Sequence, residues 1–262
     1  MTSSATSTQT GQEGIGALGV AVTPLTASGA ARVVISAANR DSTTLIGAHN
    51  LHSVYVLHTN DSFREFYDRA DYTLIDGWPV LSALNRARSR SGLPRLGPEF
   101  RIGSTDWIPE VIRSGKVSRV LVVGASRESN EGFIERARVL NSQTDFLGVP
   151  GIPWGPQQLP ELVESTKRFR PQLTIVGMGM PLQEQVALAL RAGGVTGAIA
   201  TVGGAIDQLS GVQAHAPRWT GSLRVEWLWR LASDPRRLAH RYLIEPFGLM
   251  RLLWHTRKKL NS

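Results

Sequence analysis

The chain has 262 residues, of which 42% are apolar, with 26 Gly and 14 Pro. This length can bury a substantial core, and the composition is ordinary for an α/β protein. Cysteine is absent from the sequence, which excludes disulfides, thiol catalysis and thiolate metal sites. The longest apolar stretch, 243–254, is interrupted by Glu245, Pro246 and Arg251, so it falls short of the ~20 apolar residues that a membrane-spanning helix needs.

The positive charge is concentrated near the C-terminus. Residues 213–262 hold 10 Lys or Arg against 3 Asp or Glu, and so carry +7 of the net charge of +8. Four of the seven Trp lie in the same stretch. Arg and Lys interleaved with Trp suit an anionic membrane surface. The same segment could instead fold over an active site and supply arginines to a phosphate-bearing substrate. Both interpretations indicate a negatively charged partner.

The pattern along the chain predicts three parts. Residues 1–30 are rich in Ser, Thr, Gly and Ala, which predicts a disordered leader. Residues 31–215 alternate short apolar runs with amphipathic stretches, which predicts a Rossmann-like α/β domain with a mostly parallel sheet flanked by helices. Residues 216–262 are predicted to form a helical, basic, Trp-rich appendage. Strands are predicted to start at Val33, Thr44, Tyr72, Arg119, Leu173 and Ala198, and helices to cover Val54 to Leu57, Phe63 to Arg69 and Val80 to Arg88.

Familiar site motifs are missing from the sequence. The run after Gly124 lacks the G-x-G-x-x-G spacing of dinucleotide-binding proteins, and neither a P-loop nor a G-x-S-x-G or H-E-x-x-H motif occurs. His49, His52 and His58 invite a metal-site interpretation. No matching carboxylate or second histidine pair stands close in sequence, so these histidines are better explained as polar residues at a helix start.

Asp76 stands at the end of an apolar strand and precedes Gly77, Trp78 and Pro79. Ligands of open parallel sheets bind at the carboxyl ends of the strands. A carboxylate there is suited to accept a proton from a substrate. The alternative role is a helix N-cap, since Asp before a helix that begins with Pro commonly satisfies the first amides. From spacing alone, the cap is the favoured interpretation.

Two further loops carry candidate binding residues. Pro181 can begin a helix with Gln183 and Glu184 in its first turn, either as a capping arrangement or as an amide and a helix N-terminus that face a phosphate or sugar. Gly203 and Gly204 allow close approach of a ligand, and Asp207 lies one turn further on.

Taken together in chain order, these residues and the C-terminal block resemble the WecG/TagA/CpsF glycosyltransferase family, from about Ile46 to Tyr242. The motifs that carry the resemblance are Asn50, Asp76-Gly77 with Pro79-Val80, Arg101 with Asp106, Gly177-x-Gly179-x-Pro181-x-Gln183-Glu184, Val202-Gly203-Gly204 with Asp207, Ala216-Pro217 with Trp219, Glu226-Trp227-Leu228-Trp229-Arg230-Leu231, and Pro235-Arg236-Arg237-Leu238 with Arg241-Tyr242.

The resemblance implies an inverting glycosyltransferase that needs no metal or other cofactor. It would move N-acetylmannosamine or a related hexose from a UDP-sugar to a polyprenyl-diphosphate-linked saccharide, in cell-surface polysaccharide synthesis at the cytoplasmic face of the membrane. Asp76 would be the general base. The residues implied to bind substrate are Asn50, Arg101, Gln183, Gly203, Gly204 and Asp207, together with Arg230, Arg237 and Arg241 of the appendage.

Other functions stay open at this point. The family's Thr-x-Asn is Ala48-His49-Asn50 here, and its Arg-Ala-Pro is His215-Ala216-Pro217. Because of these departures, the alternative that the protein is a catalytically silent relative that binds a nucleotide or lipid stays open. The sequence pI near 10.5 raises a nucleic-acid-binding protein as a rival, but the charge is confined to the tail and no nucleic-acid module is legible, so no nucleic-acid partner is expected. A homo-oligomer is left open.

Overall fold

A parallel six-stranded sheet forms the centre of the protein in the computed structural model, which describes residues 11–155, 157–212 and 245–260. The strands lie in the order β4-β3-β8-β7-β5-β6, and all adjacent pairs are parallel. This confirms the predicted mostly parallel α/β sheet. The strands are β3 (Thr43–His49), β4 (Tyr72–Ile75), β5 (Arg119–Gly124), β6 (Asp145–Val149), β7 (Leu173–Gly177) and β8 (Gly197–Thr201).

Helices follow the strands and cover both faces of the sheet. Successive residues of β5 point to opposite faces: Val120 and Val122 pack in one apolar cluster and Leu121 and Val123 in another. Helices α1, α5, α6 and α9 contribute to the first cluster, and α3, α7 and α8 to the second. The helices are α1 (Ala27–Ala38), α2 (Leu51–Thr59), α3 (Asp61–Arg69), α4 (Trp78–Arg90), α5 (Ser104–Arg113), α6 (Arg127–Leu140), α7 (Gln158–Phe169), α8 (Leu182–Ala192), α9 (Ala205–Ser210) and α10 (Glu245–Leu260), and Pro98–Phe100 form a 3-10 turn.

The N-terminal region differs from its prediction as a disordered leader. Residues 13–30 contain an antiparallel pair, β1 (Glu13–Ile15) with β2 (Val20–Val22), and the start of α1. Ile15 and Val22 are buried in a third apolar cluster beside α4, which gives this short hairpin a core to pack on. Residues 1–10 lie outside the described part of the chain.

Residues predicted as a strand from Val33 lie in helix α1 instead. The Thr26 hydroxyl caps this helix by accepting a hydrogen bond from the Gly29 amide. The buried side chains Ala30, Val34 and Ala37 recur at the spacing of one helical face. A short β-branched run suggested a strand there, but the wider helical period of the apolar residues decides the structure. Strand β6 was not predicted; it is an edge strand that is only partly buried, and its apolar run is short and contains Gly148.

The C-terminal helix α10 packs on α2. Leu249 is buried in the third apolar cluster, and His52 Nδ1 lies 2.5 Å from Glu245 Oε2. Within the described residues, no helix is long and apolar enough to cross a membrane. Residues 213–244, which include most of the predicted appendage 216–262, lie outside the described part, and with them the predicted contacts of Arg230, Arg237 and Arg241.

Gly124 ends β5 in a conformation that a side chain would disturb. Its φ is +111°, and an added Cβ would overlap the carbonyl oxygen of Gly177 on the neighbouring strand. We expect Gly124→Ala to lower the free energy of unfolding by about 2 to 3 kcal/mol. Gly132→Ala is the matched control. Gly132 lies inside helix α6, where Ala is favoured, and an added Cβ would make an ordinary contact of 3.4 Å with Ser210 Cβ. Urea denaturation of both variants measures the difference, and equal stabilities would contradict the expectation.

Candidate active site

A cleft lies at the carboxyl ends of β3, β4 and β8, where sequence analysis placed the candidate residues. Its volume is about 110 Å³. Five of the predicted site residues line it, so the fold brings together residues that lie up to 154 positions apart in sequence. These five are Asn50, Asp76, Gln183, Gly203 and Gly204.

Asn50 and Asp76 directly follow the adjacent strands β3 and β4, so the two residues lie side by side. The Asp76 amide donates to the His49 carbonyl, 2.9 Å away, which extends the β3–β4 ladder by one step. Asn50 caps α2. Its side-chain Oδ1 accepts from the Ser53 backbone N–H at 3.0 Å, and the Ser53 hydroxyl accepts from the Asn50 backbone N–H at 2.9 Å. With Oδ1 engaged, Asn50 Nδ2 donates to Asp76 Oδ2 at 3.3 Å. The capping of α2 therefore fixes the side-chain amide of Asn50, which in turn donates to the Asp76 carboxylate.

Gly77, rather than Asp76, occupies the N-cap of α4. Its φ of +145° and ψ of 143° lie in a region that only glycine enters readily, and this conformation turns the chain sharply from strand into helix. The cap has no side-chain hydrogen bond, so the favoured interpretation of Asp76 as an N-cap is wrong. The physical reason is that the turn at Gly77 moves the helix start one residue beyond the carboxylate. Asp76 is partly buried and faces the cleft.

Gln183 joins the start of α8 to the loop after β8. Its Oε1 accepts from the Gly203 amide at 2.9 Å, and its Nε2 donates to Glu184 Oε1 at 2.7 Å. Gln183 and Glu184 are both fully buried, although Gln183 also lines the cleft. Gly203 has a φ of +56°, in the left-handed region that favours glycine, and its amide donates to Gln183. The helix start and the glycine loop are thus fixed to each other by one amide side chain.

Glu184 is a buried carboxyl behind the cleft. Burial raises its pKa from 4.5 to about 7, against the opposing effect of the hydrogen bond from Gln183. Its Oε2 is buried and finds no hydrogen-bond partner among the residues that the structure describes. An unpaired buried oxygen of this kind costs free energy, typically about 1 to 3 kcal/mol.

Tyr67 lines the cleft, and the buried His49 stacks against it. Their rings stack with centroids 4.1 Å apart, and the Tyr67 hydroxyl donates to the Ala48 carbonyl at 2.9 Å. Burial lowers the pKa of His49 to about 3, with a smaller contribution from His58, so the imidazole is neutral at physiological pH. Burial also raises the pKa of Tyr67 well above its usual value, and the nearby Glu184 adds to this shift. The wall of the cleft is therefore uncharged at Tyr67.

Two predicted site residues lie apart from the described lining of the cleft. The Arg101 guanidinium carbon sits 5.5 Å from the centroid of the Trp78 ring, a cation–π arrangement next to the start of α4. Asp207 lies in the first turn of α9. Asp106, which accompanies Arg101 in the sequence motif, accepts a hydrogen bond from the Gly103 amide at 2.7 Å and so fixes the start of α5.

The three clustered histidines have separate contacts. His49 Nδ1 lies 3.0 Å from the Ser53 hydroxyl, His52 contacts Glu245, and His58 Nε2 lies 2.8 Å from the Leu18 carbonyl. The described residues contain no group of three or more His, Cys, Asp or Glu side chains that could hold a metal ion.

Sequence analysis did not single out several residues of the cleft. Tyr67 and Gln208 come from helices that run beside the cleft, and no strand end or glycine marks them in the sequence. Ser104 and Thr105 follow Gly103 at the start of α5, where the Ile102 amide donates to the Ile75 carbonyl and brings the loop alongside β4. The proximity of Arg101 and Asp106 in the motif was the signal that could have identified this loop.

A parallel α/β sheet with a polar cleft at the carboxyl ends of its strands defines the class of proteins that bind nucleotides and related ligands at this edge. The chain belongs to the Glycosyl transferase WecG/TagA/CpsF family, whose family model matches residues 15–262. It is therefore a glycosyltransferase of cell-surface polysaccharide synthesis, as the motifs predicted. In general terms, the family implies a nucleotide-sugar donor and a lipid-linked acceptor.

The raised pKa of Glu184 predicts a pH-dependent stability. Below pH ~4.5 the carboxyl is protonated in both states, but between ~4.5 and ~7 it ionises only in the unfolded chain. Stability should therefore fall as pH rises through this window and then level off. Glu184→Gln removes the titration, so its free energy of unfolding relative to wild type should rise by on the order of 3 kcal/mol from pH 4 to pH 8.

Urea denaturation at both pH values measures this change. The control is Glu164→Gln on the exposed face of α7, for which the difference from wild type should stay nearly constant. A constant difference for Glu184→Gln would mean that burial does not raise the pKa of Glu184.

Proposed function

We propose that the protein transfers a hexose, N-acetylmannosamine or a close relative, from a UDP-sugar to a polyprenyl-diphosphate-linked saccharide with inversion at the anomeric carbon. The observation that carries the proposal is the placement of Asp76. Its carboxylate lines the cleft at the carboxyl ends of the strands, is held by the Asn50 amide, and is not used as a helix cap. Family membership supplies the reaction class, and Asp76 supplies a group able to take a proton.

In the proposed step, Asp76 accepts the proton of the acceptor hydroxyl while the hydroxyl oxygen attacks the anomeric carbon. The new carbon–oxygen bond forms on the face opposite the breaking bond to the UDP oxygen, so the configuration inverts. The proton stays on Asp76 until solvent removes it after product release. The Asn50 amide keeps the carboxylate in one orientation, which favours a productive approach of the hydroxyl.

The departing UDP carries negative charge that the site has to stabilise. The N-terminus of α8 offers partial positive charge, and Gln183 and Gly203 stand beside it. The described lining of the cleft contains neither Lys nor Arg. We therefore assign the neutralising cations to Arg230, Arg237 and Arg241, with Arg101 and Asp207 as further contacts at the margin. Cationic side chains can stabilise a leaving diphosphate in place of a divalent metal.

The size of the cleft supports a contribution from outside the described residues. A volume of about 110 Å³ is well below the roughly 300 to 1,000 Å³ of pockets that enclose a ligand of this size. In the proposed complex, the described residues surround only the reacting end of the nucleotide sugar. The basic segment 213–244, with its Arg and Trp residues, is the proposed source of the remaining contacts.

Helix α10 supports peripheral attachment to an anionic membrane, at its cytoplasmic face. Phe247 and Met250 lie one turn apart and are 69% and 60% exposed, whereas Leu249 on the other side is buried. Arg251 is exposed beside them, and the sequence continues with Trp254, Arg257, Lys258 and Lys259. Exposed apolar side chains next to cations suit the boundary between water and acidic headgroups. We propose that this helix rests on the bilayer that holds the lipid-linked acceptor.

Asp76→Asn tests the proposed base. Asparagine keeps the shape and can still accept a hydrogen bond from Asn50, but it cannot take the proton. We expect kcat for sugar transfer to fall on the order of a hundredfold or more, with the melting temperature and the Kd for UDP unchanged. Transfer to a polyprenyl-diphosphate acceptor is measured with UDP-, GDP-, CMP- and dTDP-sugars in buffer containing EDTA.

Asp68→Asn, on the exposed face of α3, is the matched control and should retain full activity. Near-normal turnover by Asp76→Asn would show that Asp76 is not the base. Activity of the wild type only after addition of magnesium or manganese would contradict the metal-independent mechanism.

Replacing Phe247 and Met250 together by serine tests the membrane contact. Removing two exposed apolar side chains should weaken binding to vesicles of phosphatidylcholine and phosphatidylglycerol by about tenfold or more, because each buried side chain contributes on the order of 1 kcal/mol or more. Val139→Ser is the control, since Val139 is 86% exposed on α6, a different helix. Vesicle co-sedimentation gives the affinities. Equal binding by all three proteins would exclude this face of α10 as the contact.

A further inference from the structure

The strongest feature that the proposed mechanism does not use is the buried carboxyl of Glu184. It lies in the first turn of α8 and is fully buried behind Gln183, which lines the cleft. One of its oxygens accepts from Gln183 at 2.7 Å, and the other is buried without a partner among the described residues. A leucine or methionine would fill the same space without this cost. A buried group that carries such a cost calls for a functional explanation.

The contacts of Gln183 show what Glu184 can do. A glutamine amide has an oxygen that accepts and an NH₂ group with two donors, and rotation by half a turn exchanges them. The Gly203 amide holds Oε1, and Glu184 Oε1 holds one N–H of Nε2. Because Glu184 Oε1 accepts this N–H, a reversed amide would place two oxygen acceptors against each other, which is unfavourable. Among these contacts, the second N–H of Gln183 is left for a ligand in the cleft.

We propose that Glu184 is a positioning residue that locks the Gln183 amide with its N–H towards the substrate and its oxygen on the glycine loop. This inference rests on the proposed function, because it assigns the Gln183 N–H to a sugar or phosphate oxygen in the transferase site. Glu184 itself has no contact with substrate and acts only through its hydrogen bond with Gln183. Its effect passes through Gln183 to both the ligand and the loop at Gly203.

Glu184→Leu tests the proposal, since leucine fills the space and removes the acceptor. We expect kcat to fall by about tenfold or more with little change in the KM for the donor, because a misdirected donor loses its effect mainly in the transition state. Glu184→Gln still offers an acceptor oxygen, but its NH₂ group could also donate to a reversed Gln183 amide, so kcat should lie between those of wild type and Glu184→Leu. Gln185→Leu, at an exposed position one residue further along α8, is the control for changes in the helix and should be unaffected.

A double-mutant cycle identifies the route of the effect. If Glu184 acts through Gln183, adding Glu184→Leu to Gln183→Ala should lower kcat no further than Gln183→Ala alone. Two independent losses that multiply would overturn the proposal, as would normal kcat in Glu184→Leu. All rates are taken per folded enzyme after the melting temperature of each variant is checked.

A crystal structure of Glu184→Leu gives a readout that does not depend on activity. The amide of Gln183 should rotate, so that Oε1 leaves the Gly203 amide, which it contacts at 2.9 Å in the wild type. An unchanged contact would overturn the positioning role even if activity were lost. If instead the wild type transfers no sugar from any donor, the proposed function fails, and the structure of the variant still decides whether Glu184 holds Gln183.

Discussion

The site depends on the parallel register of β3 and β4. His49 pairs with Ile75, and the Asp76 amide extends the ladder to the His49 carbonyl, so that Asn50 and Asp76 leave the sheet at the same level. A slip of one residue would send these side chains to opposite faces and separate the carboxylate from its amide partner. The register is held in turn by the apolar residues of both strands, which are buried between helices on the two sides of the sheet. Packing in the core thus fixes the hydrogen bond between Asn50 and Asp76 at the carboxyl ends of the strands.

Two residues of the candidate site, Asn50 and Gln183, also stabilise the local fold. Asn50 caps α2 with its oxygen and holds Asp76 with its nitrogen, while Gln183 ties the start of α8 to the Gly203 loop. Each amide side chain accepts a backbone N–H with its oxygen and donates to a carboxyl group with its nitrogen, which is Asp76 for Asn50 and Glu184 for Gln183. Such an arrangement gives a preorganised site at element termini, where backbone amides and carbonyls are left unpaired by the regular structure.

The sequence was sufficient for five of the six strands of the sheet and for five of the fifteen residues that line the cleft, because these follow from local rules. Apolar runs that end in glycine or a polar residue predicted β4, β5, β7 and β8 together with Asp76, Gln183 and Gly203 at their ends. Three features needed the three-dimensional structure. The positive φ of Gly77 decides that Asp76 is not a cap, the packing of α3 brings Tyr67 into the wall, and the burial of Glu184 depends on helices far apart in sequence. None of these has a short-range signal.

The electrostatics of the described residues explain why the basic segment matters to the proposed reaction. Burial shifts Tyr67 in the wall of the cleft, and His49 and Glu184 next to it, towards their uncharged forms, so the surroundings of the cleft have a low capacity to balance charge. Asp76 adds a carboxylate to this surface, while the described lining has no Lys or Arg. A diphosphate placed here would meet a carboxylate and nearly neutral surroundings, with only a helix terminus in its favour. Residues 213–262 carry +7 of the net charge of +8, and this segment is the proposed source of the cations that such a ligand requires.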